Sequence, residues 1–153
     1  MKLSDFLTES NVLESVASTD RWQAIEELLD NLIQTGRVPA EKRQEVLEVV
    51  NKREASMSTG IGFGIGIPHA STEHVQEVVG AFGRSNSGLD FEALDSQPVH
   101  LVLLFLVPQG KFRQHLHTLA DIAKVLNQRE FRDAVEQAED AAGIWETIQK
   151  FTV

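Results

Sequence analysis

Five histidines, no cysteine and no tyrosine bound the chemistry open to this chain of 153 residues. Without thiols there are no disulfides, thiolate metal sites or cysteine nucleophiles. His69 stands out because it directly follows Pro68 at the end of an apolar alternation. A neutral imidazole has a free nitrogen lone pair near pH 7, its reference pKa being about 6.5. It can therefore attack phosphorus without a separate base. Position alone also fits a plain surface-loop histidine. His115 and His117 lie two apart on a predicted helix, so they point about 200° apart and cannot serve one site. His117 shares a face with Asp121, Lys124 and Gln128, which reads as solvent. His115 borders the Leu119 and Ile122 side, in the first turn. That turn carries partial positive charge and free N–H groups, suited to an anion. A helix-start histidine without function is the plainer alternative. His74 and His100 receive no role; His100 opens a buried strand and reads as a satisfied edge or core histidine.

The elements that must position these residues follow from periodicity. Asn11 to Val16 is a short strand candidate. Ser18-Thr19-Asp20 supplies N-cap side chains, and Trp22, Ile25, Leu28, Leu29 and Leu32 follow at helical spacing, with Gly36 as a C-cap. Pro39 starts a second helix, where its missing N–H costs nothing. Val46, Leu47, Val49 and Val50 mark its buried side, and Lys52-Arg53-Glu54 its last turns. Gly60, Gly62, Gly64 and Gly66 then alternate with Ile61, Phe63, Ile65 and Ile67. Period two predicts one strand, apolar on one face and bare on the other, ending at Pro68. Val75 to Arg84 is a further strand, Gly88-Leu89-Asp90-Phe91 a loop, and Val99 to Val107 a strand buried on both faces. His115 to Leu126 is helical, with Leu116, Leu119, Ala120, Ala123 and Leu126 inward. Phe131, Val135 and Ala138 mark another helix, and Ile144 to Phe151 a last one. The order is β-α-α-β-β-β-α-α-α, an α/β fold with a mixed sheet flanked by helices in three layers. No linker or repeat divides the chain, which reads as one domain over 1–153.

Composition narrows the function classes. The chain is 42% hydrophobic, enough for a sizeable core, with 14 basic against 23 acidic residues and a net charge of −9. That balance repels nucleic acid. The N-terminus lacks the apolar run of a signal peptide. The longest apolar run, Leu101 to Pro108, is far short of the roughly 20 residues that span a bilayer. A soluble protein in the reducing cytoplasm is expected, without direct membrane insertion. The glycines do not fit G-x-G-x-x-G, and there is no nucleotide P-loop or G-x-S-x-G elbow. His69-Ala70-Ser71-Thr72-Glu73-His74 has one residue too many for H-x-x-E-H. Zinc on His69 and His115 lacks carboxylate or thiolate partners at recognisable spacing.

Three separated segments resemble the enzyme IIA domains of the fructose, mannitol and nitrogen-regulatory branch of the bacterial phosphotransferase system. They are Arg53-Glu54 with Ser58-Thr59-Gly60-Ile61-Gly62-Phe63-Gly64-Ile65-Gly66-Ile67-Pro68-His69; Gly88-Leu89-Asp90-Phe91 with Asp95 through Leu104; and His115-Leu116 opening a helix. The resemblance covers roughly residues 10 to 150 and implies a mixed sheet between helices. It implies a phosphotransferase whose phosphohistidine forms on His69, with His115 as the second active-site histidine. Arg53 matches a family arginine, and a guanidinium offers paired donors to a phosphoryl group of charge close to −2. Thr59 could donate its hydroxyl to a phosphoryl oxygen, or be a turn residue. The implied donor is a phosphocarrier of the HPr type, and the implied recipient a IIB domain or a regulatory target. No cofactor, ATP or metal is required, because the donor's phosphoryl group is already activated. A stand-alone chain without membrane or IIB segments would fit the nitrogen-regulatory use and also a separate fructose- or mannitol-type subunit; Leu89-Asp90-Phe91 and Asp95 to Leu104 look closest to the regulatory type, which is favoured. The alternatives are a sugar-transport subunit and a non-catalytic binding module of the same fold. Ala70-Ser71-Thr72-Glu73 and Phe63 depart from the family pattern, which bears on partner choice.

Overall fold

The computed structural model describes residues 2–151. Asp20 caps α2 (Arg21–Gln34), its carboxylate accepting the Gln23 N–H at 2.9 Å. Gly36 follows the helix end with φ +77°. Pro39 precedes a 3₁₀ turn, Ala40–Lys42, that leads into α3 (Arg43–Ser56). Val46, Leu47, Val50 and Glu54 form the buried stripe of α3. Val49, expected inside, is exposed. It lies roughly 100° from the middle of that stripe.

The sheet has six strands: β1 (Val12–Leu13), β2 (Gly60–Gly62), β3 (Ile65–Gly66), β4 (His69–Thr72), β5 (Val79–Leu89) and β6 (Val99–Pro108). Their order is β1-β5-β6-β3-β2, with β4 also on β6. β5 runs antiparallel to β6, while β1 on β5, and β3 and β4 on β6, are parallel. The sheet is therefore mixed, as expected. Central β6 buries both faces. Val102, Leu104 and Leu106 join the core with α2 and α3. Leu101, Leu103, Phe105 and Val107 join a second core with α1 (Leu3–Phe6), α4 (Leu116–Leu126), α5 (Arg129–Gln137) and α6 (Ala141–Phe151). Each such side chain is worth about 1.5–3 kcal/mol of burial, and the two cores make the three layers. The short α1 was not predicted; Leu3, Phe6 and Leu7 anchor it, with Phe6 edge-on to Phe105 at 5.1 Å.

Four boundaries differ from the sequence reading. β5 begins at Val79 rather than Val75 and runs through Gly88 to Leu89, because Leu89 still pairs with Val99. The glycine-rich alternation is not one strand. Phe63 and Gly64 both have positive φ, 58° and 78°, and turn β2 back on β3 as a tight hairpin. Two consecutive residues in that region make the turn whose twist matches paired strands. The apolar set is thereby split: Ile65 and Ile67 are core, while Ile61 and Phe63 are 39% and 62% exposed. Glycine does permit a close approach: a methyl group on Gly66 would come within 2.8 Å of the Phe91 ring. His69 starts β4 instead of following the last strand residue. β3 and β4 lie along one edge of β6, Ile65 opposite Leu101 and His69 opposite Phe105. Ile67 and Pro68 interrupt them. The fourth difference is in α4, where Thr118, Ile122 and Leu126 are buried. Leu116 and Ala120 face outward, because the stripe is centred on Ile122.

Phe63 is a poor residue for left-handed backbone. Its N–H donates to Asp95 Oδ2 at 3.2 Å, and its carbonyl accepts from Arg132 Nη1 at 3.1 Å. These contacts separate two substitutions. Ile65→Asp is expected to cost about 3 kcal/mol or more by burying a carboxylate without a partner. Phe63→Asp is expected to stay folded within about 1 kcal/mol of the parent, because aspartate tolerates positive φ better. Urea unfolding followed by circular dichroism checks both; loss of the native signal for Phe63→Asp would refute the exposed hairpin tip.

Candidate functional site

The site is built outward from a buried carboxylate. Glu54, in the last turns of α3, is fully buried. Its Oε2 accepts from Arg21 Nη1 at 3.0 Å and from the Thr59 N–H at 2.9 Å; its Oε1 accepts the Thr59 hydroxyl at 2.6 Å. Arg21 also reaches Glu92 at 2.9 Å. The carboxylate is thus satisfied on both oxygens, which its burial requires. Thr59, so held, accepts the Ile67 N–H on its own carbonyl at 3.1 Å. The Ile67 carbonyl in turn lies 2.8 Å from His69 Nδ1.

That last contact fixes the chemistry of His69. A carbonyl oxygen only accepts, so Nδ1 carries the proton and the neutral ring keeps its lone pair on Nε2. The ring is 7% exposed and stacks on Phe112, with centroids 5.6 Å apart and planes within 5°. Burial holds its pKa below the usual 6.5; the Ile67 hydrogen bond opposes this, the Arg53 charge reinforces it and Glu54 opposes it. The imidazole is therefore neutral at pH 7, oriented, and carries one nitrogen free to attack an electrophile.

The other predicted residues fall around it unequally. Arg53 is half-buried at the end of α3, with Nη1 donating to the Met57 carbonyl at 3.1 Å, and its charge is felt at His69. His115 ends the 3₁₀ turn Arg113–His115 and is the N-cap of α4. Its N–H donates to the carbonyl of Phe112, the residue stacked on His69, at 2.9 Å. No side chain caps α4, whose first amide, the Leu116 N–H, is taken by the Arg113 carbonyl of the preceding turn. No hydrogen bond joins His115 to His69 among the described residues. Thr59 is placed differently from its expected use: it is buried and its hydroxyl proton goes to Glu54, so in this arrangement it positions the strand and offers no donor outward. His117 is exposed, with Asp121 at 3.6 Å. His74 pairs with Glu45 at 2.6 Å. His100 is an exposed edge histidine, with Nδ1 2.9 Å from the Ser85 carbonyl.

Comparison with known proteins gives the family. The chain matches the family described as phosphoenolpyruvate-dependent sugar phosphotransferase system, EIIA 2, over residues 5–151. It belongs to that family. It is 35% identical to the fructose-specific EIIABC component of Bacillus subtilis over 98% of its own length, and spans 23% of that protein. It is 30% identical to the nitrogen regulatory protein of Bradyrhizobium diazoefficiens over 97% of this chain and 95% of the relative. The structure of the nitrogen regulatory protein IIA-Ntr from Neisseria meningitidis superposes with a TM-score of 0.85 at 26% identity, covering 95% of this chain and 98% of that one. The chain is thus a phosphotransfer component, with both sugar-specific and nitrogen-regulatory relatives. No helix among the described residues is long and apolar enough to cross a membrane.

Within this IIA domain, sequence reasoning gave no role to Arg21, Glu54 or Phe112. Glu54 had a usable signal: a charged residue on the same helical stripe as Val46, Leu47 and Val50. Phe112, in a loop, had none.

Two outcomes follow. Folded His69 sheds its proton where the unfolded chain still binds one, so its share of stability is complete above pH 6.5 and is lost as pH falls through the folded value. NMR titration of the ring is expected to give a midpoint below 6.5, and Phe112→Ala to move it up by exposing the ring. A midpoint above 6.5 in the parent would contradict the buried, neutral imidazole. Glu54→Gln breaks a buried ion pair and is expected to cost about 3–5 kcal/mol, read as a lower urea midpoint; an unchanged midpoint would remove Glu54 from its organising place.

Proposed function

We propose that His69 Nε2 accepts a phosphoryl group from a phosphohistidine carrier of the HPr type and that the chain passes it on, or signals by it. The supporting observation is the Nδ1–H···O contact with Ile67, which leaves the reactive lone pair on Nε2. The Nε2 lone pair forms the new P–N bond as the donor's P–N bond breaks, and the donor imidazole leaves with that electron pair. The ring gains positive charge as it attacks, and the Ile67 carbonyl is placed to stabilise it through Nδ1–H. Arg53, with His115 at the start of α4, is suited to hold the equatorial oxygens. The reaction moves no proton and calls on no cofactor.

Between the two uses we favour the nitrogen-regulatory one. Support comes from the Bradyrhizobium relative and the Neisseria structure, each matched over nearly the whole of both chains. The fructose-specific likeness supports the second reading, a transport subunit discharging to a IIB domain. His69→Ala is expected to abolish uptake from phosphorylated HPr, and His115→Ala to slow it by ~10²-fold. His117→Ala, in solvent, is expected to leave the rate unchanged. Full labelling of His69→Ala would sink the assignment. Mixing the charged domain with a fructose- or mannitol-type IIB, alongside affinity capture with both phosphorylation states, separates the uses: rapid discharge and no state-selective partner would leave a transport subunit.

A further inference from the structure

Away from His69, a cavity of about 510 Å³ opens between α5, the tip of the β2–β3 hairpin and the adjoining ends of β5 and β6. Its volume falls among small-molecule sites, roughly 300–1,000 Å³. Leu101 in its wall lies four residues before Phe105, the partner of His69. That is roughly 13 Å along β6, so the cavity is a separate place.

Its lining sets three arginines against two carboxylates, Asp133 and Glu136, a local excess of positive charge in a chain of net charge −9. Arg84, Arg129 and Arg132 all face it. Arg84 is 8% exposed and gives Nε and Nη1 to the carbonyls of Glu14, Val135 and Ala138. Arg132 gives Nη1 to the Phe63 carbonyl and stacks over the Phe63 ring at 5.2 Å, while its Nε is buried without a hydrogen-bond partner. Neither guanidinium pairs with a carboxylate among the described residues. Arg129 is exposed, with Asp133 at 3.7 Å. Carbonyls satisfy part of the Arg84 and Arg132 guanidinium groups but leave their charge without an anion and Arg132 Nε without an acceptor, and an oxyanion arriving between these groups would supply both with N–H···O bonds. The start of α5 adds to this: its N-cap, Gln128, makes no side-chain cap bond, so the first amides are open. On the strand side, His100 donates from Nδ1 to the Ser85 carbonyl, which leaves Nε2 as an acceptor for a hydroxyl group.

We propose that this cavity is a second ligand site, taking a small organic oxyanion whose carboxylate or phosphate sits between Arg129 and Arg132 and whose polar body reaches His100. It stands independently of the phosphotransfer reading. The test is calorimetry and amide NMR on the full chain with succinate and with glycerol phosphate as probes. Saturable binding is expected with a dissociation constant below about 1 mM, with amide shifts at Arg129, Arg132 and His100. Arg129→Gln, at an exposed position, is expected to keep the parent's unfolding curve and weaken binding by about tenfold. His69→Ala is expected to bind as the parent does. Binding of succinate alone assigns the anion as a carboxylate, and of glycerol phosphate alone as a phosphate. No saturable binding of either probe, equal affinity in Arg129→Gln, or loss of binding in His69→Ala would overturn the proposal.

Discussion

The carbonyl of Ile67 decides which nitrogen of His69 is free, and much of the surrounding chain exists to hold that carbonyl still. It belongs to the short interruption between β3 and β4, where Pro68 has no N–H to give a neighbour. The N–H of Ile67 is tied to Thr59, and Thr59 is tied twice to Glu54. Glu54 is neutralised by Arg21 from the first turn of α2. Residues 21, 54, 59, 67 and 69 thus form one hydrogen-bonded series across both helices of one layer and the broken edge of the sheet. A buried carboxylate is a costly way to hold a loop. Its return here is geometric: one group with two oxygens fixes a helix, a strand entry and, through them, an imidazole.

Burial of His69 works in two directions. A lowered pKa weakens the nucleophile slightly but favours the neutral ring at pH 7, and it also makes the imidazole a better leaving group. In the proposed role, a carrier that takes and releases a phosphoryl group at His69 would draw on both properties. Phe112 supplies most directly what burial requires on one face of the ring, and Arg53 lowers basicity further while favouring an incoming anion. The Ile67 carbonyl and Glu54 oppose that lowering.

The sequence was legible where burial alone decides. Val99 to Val107 reads as a central strand because nothing polar interrupts it after His100, and α2 reads from its Asp20 cap and its stripe of Ile25, Leu28, Leu29 and Leu32. It misled where backbone φ decides. The alternation of Gly60 to Ile67 has perfect period two, yet Phe63 and Gly64 adopt positive φ and fold it in half. Phenylalanine is the wrong residue type to announce such a turn, and the contacts that hold it, Asp95 and Arg132, come from far along the chain. The same limit applies at the site. His69 is singled out by Pro68 and the family pattern, but its tautomer is not legible, because it depends on one carbonyl. Thr59 was visible as a hydroxyl near His69; that its proton points inward depends on Glu54, which pattern alone leaves without a partner.

Net charge shows how far a whole-chain quantity can be trusted. A value of −9 disfavours a polyanion spread across the whole surface. It says nothing of short range, because fields between exposed groups fade within about 8–10 Å in physiological salt. Within that distance of His69 the charges that act are Arg53 and the buried Glu54, which Arg21 partly neutralises. On the proposed phosphorylation of His69, an arriving phosphoryl group would meet the Arg53 guanidinium before the acidic surface, and once bound it would add close to −2 to a protein already negative. The local site would then favour the group while the global field would work against acidic partners and favour basic ones. On that proposal, charging His69 would change the balance for any partner that covers it.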